Sequence, residues 1–228
     1  MEFKMDMNLF EEVKSKLANN NNVFWLVGGS CSGKSTISKL MEDKFGFVRY
    51  DMDEYIFGEY MDRYSREIHP ANSSWFGAEN PLDWALSFPN WEQYNSFNMT
   101  SMVEQLSLFC EDIEKMDKNK KIIVDGGITN PDILAKVLNK NQICCLKVED
   151  ELCRKIWSRD ENRLLMKDMI YELSSPEYKW NKFLKLNDLI NKQMELECKA
   201  NHISIIFRSE EEPSEMVLEK VINVFGGM

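Results

Sequence analysis

The sequence predicts an α/β fold built on a parallel sheet, and three observations lead there. Val23-Phe24-Trp25-Leu26-Val27 is apolar at every position, as a strand covered on both faces must be. A glycine-rich turn, Gly28–Thr36, follows at once, and Ile37, Leu40, Met41 and Phe45 then recur at helical spacing before Gly46 as a stop. Further short apolar runs at Phe47–Tyr50, Lys121–Asp125, Gln142–Val148 and Asn201–Phe207 are separated from one another by helical patterns. Strand alternating with helix is the signature of a parallel sheet. The length of 228 residues suits one domain, 1–228.

Between the strands, the elements follow in order. Leu9, Phe10, Val13 and Leu17 mark one face of an N-terminal helix, and Asn19–Asn22 is a polar turn into the first strand. Residues 54–100 read as an ordered insertion: eleven rings from Tyr55 to Phe97, broken by Pro70, Pro81 and Pro89, are too many for a disordered segment. Met102, Leu106, Phe109, Ile113 and Met116 define a long helix. Asn130-Pro131-Asp132 is a helix start, with Asn at the cap and Pro in the first turn. Helical patterns at Glu149–Ser158, Leu164–Leu173 and Pro176–Cys198 make 154–200 a lid or lateral cover, and Pro213–Phe225 is the closing helix.

Gly28–Thr36 reads Gly-Gly-Ser-Cys-Ser-Gly-Lys-Ser-Thr and fits G-x-x-x-x-G-K-[ST]. Such a loop turns backbone N–H groups inward and sits on a helix N-terminus, so it makes a nest for phosphate oxygens. The expected binding set is Gly28, Gly29, Ser30, Cys31, Ser32, Gly33, Lys34, Ser35 and Thr36. Lys34 would reach the outer phosphates of ATP, and the Ser35 hydroxyl would face Mg²⁺. Gly29-Ser30-Cys31-Ser32-Gly33 also looks like a nucleophile elbow with Cys in the serine slot. That alternative needs a partner base and leaves Lys34-Ser35 without a role.

Ligands bind at the carboxyl ends of strands in open α/β sheets. The second strand ends in Asp51-Met52-Asp53, and the third ends in Asp125 followed by Gly126-Gly127. Asp125 and Asp51 are candidate metal ligands beside Ser35; Asp53 or Asp51 is the candidate base for an acceptor hydroxyl, the plain alternative being acids that favour a helix start. No glutamate follows Asp125 to activate water, which favours transfer to an organic acceptor over hydrolysis. Five of the seven arginines fall in 63–66 and 154–163. Arg159 and Arg163 stand four apart, so on a helix both could swing onto phosphates; paired with Asp160 and Glu161 they would be ordinary surface charge. In the insertion, Arg63, Arg66, His69 and Trp84 are candidate acceptor contacts, set against a reading in which the rings only build a small core.

Net charge is −10, which argues against duplex nucleic acid or an anionic membrane as partner. No apolar run reaches the roughly 18 residues of a membrane span, and six cysteines without metal-ligand spacing suit reduced thiols in a cytoplasmic setting. A monomer or homodimer acting on a small-molecule acceptor is expected.

In order of elements, most of the chain resembles the small P-loop kinases, which include nucleoside and nucleotide kinases, shikimate and gluconate kinases and chloramphenicol phosphotransferase. Gly28, Gly33, Lys34, Ser35, Asp51, Asp53, Asp125, Arg159 and Arg163 carry the resemblance. It implies a three-layer fold with a five-stranded parallel sheet in order 2-3-1-4-5, an acceptor site in the insertion, lid arginines on the transferring phosphate, and ATP with Mg²⁺. Asp51-Met52-Asp53 is similar to the Asp-x-Asp of shikimate kinases, where the first acid serves the metal and the second the acceptor. The long aromatic insertion departs from that group. Asp125-Gly126-Gly127 does not continue as in adenylate kinases, and the Asp/Glu-Arg-Ser pattern of deoxynucleoside kinases does not follow strand two. A regulatory nucleotide-binding module and a polynucleotide kinase are the alternatives; Cys144–Asp150 lacks the guanine signature of GTPases.

Overall fold

The computed structural model describes residues 3–157 and 161–227, the side chains of 150, 154, 157 and 161–163 excepted. Five parallel strands form one open sheet: β1 (Val23–Val27), β2 (Val48–Asp51), β3 (Ile122–Asp125), β4 (Ile143–Val148) and β5 (Ser204–Arg208), in the order β2-β3-β1-β4-β5. The topology is the one expected. The register sets Asp51 of β2 and Leu26 of β1 opposite Asp125, so both acidic strand ends share one edge with the turn that follows β1.

The all-apolar strands divide their side chains between two cores by period-two alternation. In β1, Val23, Trp25 and Val27 enter one core while Phe24 and Leu26 enter the other. Ile143 and Cys145 of β4 likewise oppose Cys144 and Leu146. The second core is closed by α2 (Lys34–Phe45) and α11 (Ser214–Val224). The first is closed by α1 (Met7–Leu17), α6 (Trp91–Ile113), α7 (Pro131–Val137) and the end of α10 (Pro176–Ala200). This gives three layers. No disulfide joins the six cysteines, and no helix among the described residues is long and apolar enough to cross a membrane.

The insertion is a chain of short pieces: α3 (Met52–Ile56), a 3₁₀ turn at Glu59–Asp62, α4 (Pro70–Phe76) and α5 (Pro81–Leu86). Side chains start two of them, Asp51 accepting from Glu54 N at 3.2 Å and Asn80 from Asp83 N at 2.9 Å. The long helix begins earlier than its apolar spacing suggests. Asn90 caps α6 through Gln93 N at 2.9 Å, which draws Trp91, Tyr94 and Phe97 out of the insertion and onto a 23-residue helix. Asn130 is at the cap of α7 with Pro131 in the first turn, as expected, but makes no side-chain capping bond. Its side chain turns away from α7 toward Asn95, Asn98 and Glu197, and the Glu197 carboxylate accepts from Asp132 N at 3.0 Å instead. The remaining helices are α8 (Asp150–Trp157) and α9 (Glu161–Tyr171).

Phe109 sits at the centre of the first core, fully buried and edge-on to Trp25 and Tyr50 at 5.2 and 5.0 Å. Phe109→Ala should cost about 3–5 kcal/mol, transfer and cavity together, read as a shift of the denaturant midpoint at unchanged slope.

Candidate functional site

The turn between β1 and α2 is held in a conformation that few side chains accept. Gly28 and Gly33 have φ of 152° and 91°, and Cys31 is left-handed at 71°. A Cβ on Gly28 would meet the carbonyl oxygen of Leu146 at 2.3 Å, so only glycine lets the loop leave the sheet this closely. Ser32 N donates to Gly29 O at 3.2 Å, and Gly33 is the N-terminal boundary of α2 with no side-chain cap. Lys34 folds back, its Nζ donating to the carbonyls of Gly28 at 2.9 Å and Gly29 at 3.3 Å. Ser32 Oγ is buried and has no partner among the described residues. Ser30 and Cys31 border the loop's outer side, where Cys31 packs with Val148 and Cys153, and Ser35 and Thr36 are exposed at the first turn of α2.

Next to this loop stands Asp125, only 2% exposed. Ser35 Oγ donates to its Oδ1 at 3.4 Å and Ser38 Oγ to its Oδ2 at 2.7 Å. Arg49 of β2 spans the neighbouring acids: it lies 2.5 Å from Asp51 Oδ2 and 3.6 Å from Asp125 Oδ2, with its Nε donating to Ser38 Oγ at 3.1 Å. Asp51 is thus engaged twice, by Arg49 and by the start of α3. Asp53 faces the turn after β3. Its Oδ1 accepts from Gly127 N at 2.8 Å, and a Cβ on Gly126 would lie 2.5 Å from Oδ2. Asp53 keeps contact with solvent, yet the protein around it raises its carboxyl above the ordinary value, with Asp51 and Asp125 adding to the shift; Gly127 N–H and the Lys34 ammonium oppose it.

Among the described residues, no three His, Cys, Asp or Glu side chains converge as a metal cage. The available seat is the Ser35–Asp125 pair. One hydroxyl and one carboxylate suit Mg²⁺, which keeps several waters and takes the rest of its shell from phosphate. Lys34 bonded only to carbonyls, the unpartnered Ser32 hydroxyl and the glycine cradle fit a bound phosphate chain in the same way.

Beyond the loop, a cavity of about 750 Å³ opens at the ends of β4 and β5, lined by Leu152, Lys155, Phe207, Arg208 and Met216 among others. Arg208 places its guanidinium against Gly33, 2.6 Å from where a Cβ would stand. Arg208, Arg49 and Ser38 have no prior signal in the two arginine windows or the motif, though Arg208 closes the last strand and Arg49 lies two residues before Asp51, positions a strand-edge argument could have reached.

The acceptor candidates of the insertion are placed differently. Arg63 lies against the last turns of α6, paired with Glu111 at 3.0 Å and Asp112 at 2.8 Å, and is not brought to the glycine loop. Trp84 packs edge-on to Phe97 and Phe88 in a small aromatic core. Arg66 is exposed. His69 is buried, its Nδ1 accepting from Ser65 N at 3.2 Å and its Nε2 3.2 Å from Ser107 Oγ. Arg159 and the side chain of Arg163, expected on the lid, lie outside the described residues, as does the side chain of Arg154.

The chain matches no known family model and no curated protein.

Burial lowers the His69 pKa from 6.5, with Arg63 adding to that and Glu111 opposing it. A lowered folded-state value means the unfolded chain takes the proton first. Stability is therefore full above the unfolded value near 6.5 and falls as pH drops through the folded one. Urea midpoints measured downward from pH 7.5 should decline across that window, and His69→Gln should flatten the decline.

Proposed function

We propose that the chain is an ATP- and Mg²⁺-dependent phosphotransferase that moves the γ-phosphoryl group to a hydroxyl of a small molecule. One observation carries this reading: a glycine cradle opening a helix meets the Ser35–Asp125 pair and Asp53 on a single edge of the sheet. Lys34 would leave the loop carbonyls for phosphate oxygens, which offer a full charge where the carbonyls offer a dipole. Ser35 and Asp125 would hold Mg²⁺, which neutralises charge on the phosphate oxygens. Asp51, one strand further out, would act on the metal through water or through Arg49. Asp53 is the candidate base: it is reachable from solvent, accepts from Gly127 N–H in the turn after β3, and has its carboxyl raised above the ordinary value by desolvation. The cavity lined by Arg208 is the proposed place for the nucleoside, because that guanidinium also lies against Gly33 of the loop. Arg159 and Arg163 remain the proposed lid arginines.

Phosphoryl transfer needs positioning and charge more than covalent chemistry, so losses should be graded by role. Lys34→Ala should weaken ATP binding by about tenfold or more, seen by calorimetry. Asp53→Asn should lower transfer by about 10²–10⁴-fold while leaving ATP affinity nearly unchanged. The measurement is release of labelled phosphate onto a panel of hydroxylated acceptors. Unaltered ATP binding and transfer in Lys34→Ala would sink the reading.

A further inference from the structure

Helix α10 has two faces with different duties. Asn191 lies against Gly29, and Met194 and Cys198 enter the first core. Lys182, Lys185 and Leu189, spaced three and four apart, lie on the opposite face. That outer face and the junction of α5 with α6 enclose a groove of about 520 Å³, in the range of small-molecule sites. No residue of Gly28–Thr36 lines it, so it is separate from the candidate site.

The groove has an unusual lining for a chain of net charge −10. Phe88, Trp91 and Tyr94 form one wall, and no acidic side chain is among the described residues that line it. Trp91 and Tyr94 tilt against each other at 6.0 Å and are only partly buried, while buried Phe88 meets Tyr94 edge-on at 5.8 Å. Lys182 is half-buried and donates to the Phe88 carbonyl at 2.7 Å; Lys185 is exposed, and neither lysine has an ion pair among the described residues. Desolvation lowers the Lys182 pKa, as it must where no carboxylate compensates. A partly covered ammonium bonded to a carbonyl dipole would gain from an anion in the groove. Because the overall field repels anions, any anion held here owes its binding to these two lysines and the rings.

We propose that this groove is a second ligand site, selective for a small planar aromatic anion. The ring would lie on Trp91 and Tyr94 and the anionic group between Lys182 and Lys185.

Two fluorescent probes of similar shape test it: 1-anilinonaphthalene-8-sulfonate, an anion, and N-phenyl-1-naphthylamine, its neutral counterpart. The native chain should bind one sulfonate probe about tenfold more tightly than the neutral one. Lys185→Met should remove most of that preference and leave the neutral probe's affinity in place; its exposed position spares the fold, which a thermal melt checks. Lys182→Met should do the same, and Trp91→Ala should weaken both probes. Lys118→Met, on the polar turn after α6, should change neither. Equal affinity for the two probes, or an anion preference that survives Lys185→Met, would each overturn the proposal. A chain that fails to bind ATP leaves these outcomes unaffected, so this site and the phosphotransfer reading fail separately.

Discussion

The buried charge of Asp125 is the constraint around which the carboxyl edge is arranged. A carboxylate at 2% exposure must be compensated by groups that stay put, and three elements supply them: Ser35 and Ser38 from α2, and Arg49 from β2. Each compensating group also fixes its own element. Two hydroxyls from successive turns of α2 hold that helix, and so the glycine loop before it, at a set distance from β3. Arg49 draws β2 into line and hands the same positive charge on to Asp51, which in turn starts α3. Removing one partner of such a buried pair typically costs about 3–5 kcal/mol, because the other charge is stranded. The loop geometry therefore depends on a side chain that is not part of the loop.

A second tie runs across the top of the molecule. Trp25 Nε1 donates to Gly126 O at 3.2 Å, so the fully buried indole of β1 holds the turn after β3. That turn presents Gly127 N–H to Asp53 and leads to Asn130, whose amide binds Asn95 of α6 and Glu197 of α10. Positive φ at Gly126 and Gly127, 84° and 70°, allows the backbone to make this bend beside Asp53 without a Cβ in the way. The base candidate is consequently positioned by the core of the sheet and by the lateral helices at once.

How far this was legible follows from the range of each signal. Strand identity and strand order rest on local apolar runs and on the chain's alternation, and Val23–Val27 or Ile143–Val148 announce themselves within a few residues. The meeting of the loop with Asp125 was also accessible, because both lie at strand ends. Asn130 takes the cap position that the sequence indicates, but the bond to the start of α7 comes from Glu197, a carboxylate distant in sequence that no local pattern announces. His69 and Arg63 likewise carry chemistry-bearing side chains whose partners, Ser107, Glu111 and Asp112, sit on a helix that only folding brings near. Arg63 and His69 read as site residues in sequence because these partners lie 38 to 49 positions away along the chain.

That outcome bears on how an acceptor would be chosen. Most rings of the insertion spend their faces on one another: Tyr64 stacks on Phe76 at 5.6 Å, Trp75 leans on Phe76 at 4.5 Å, and Phe88 stacks on Phe97 at 5.2 Å. Glu104, buried in the same region, is consumed by Ala71 N, Asn72 N and the Asn72 amide. A pocket needs groups left unpaired before the ligand arrives, since only those are satisfied by binding. By that criterion Arg63, His69 and Glu104 are already spent, and the buried hydroxyls of Tyr64 and Ser73 are the groups of the insertion left without a partner among the described residues. Beside Asp53 stands the Gly126–Asn130 turn, whose Gly127 N–H already binds it and whose Thr129 hydroxyl accepts from Asn98 of α6 at 2.9 Å.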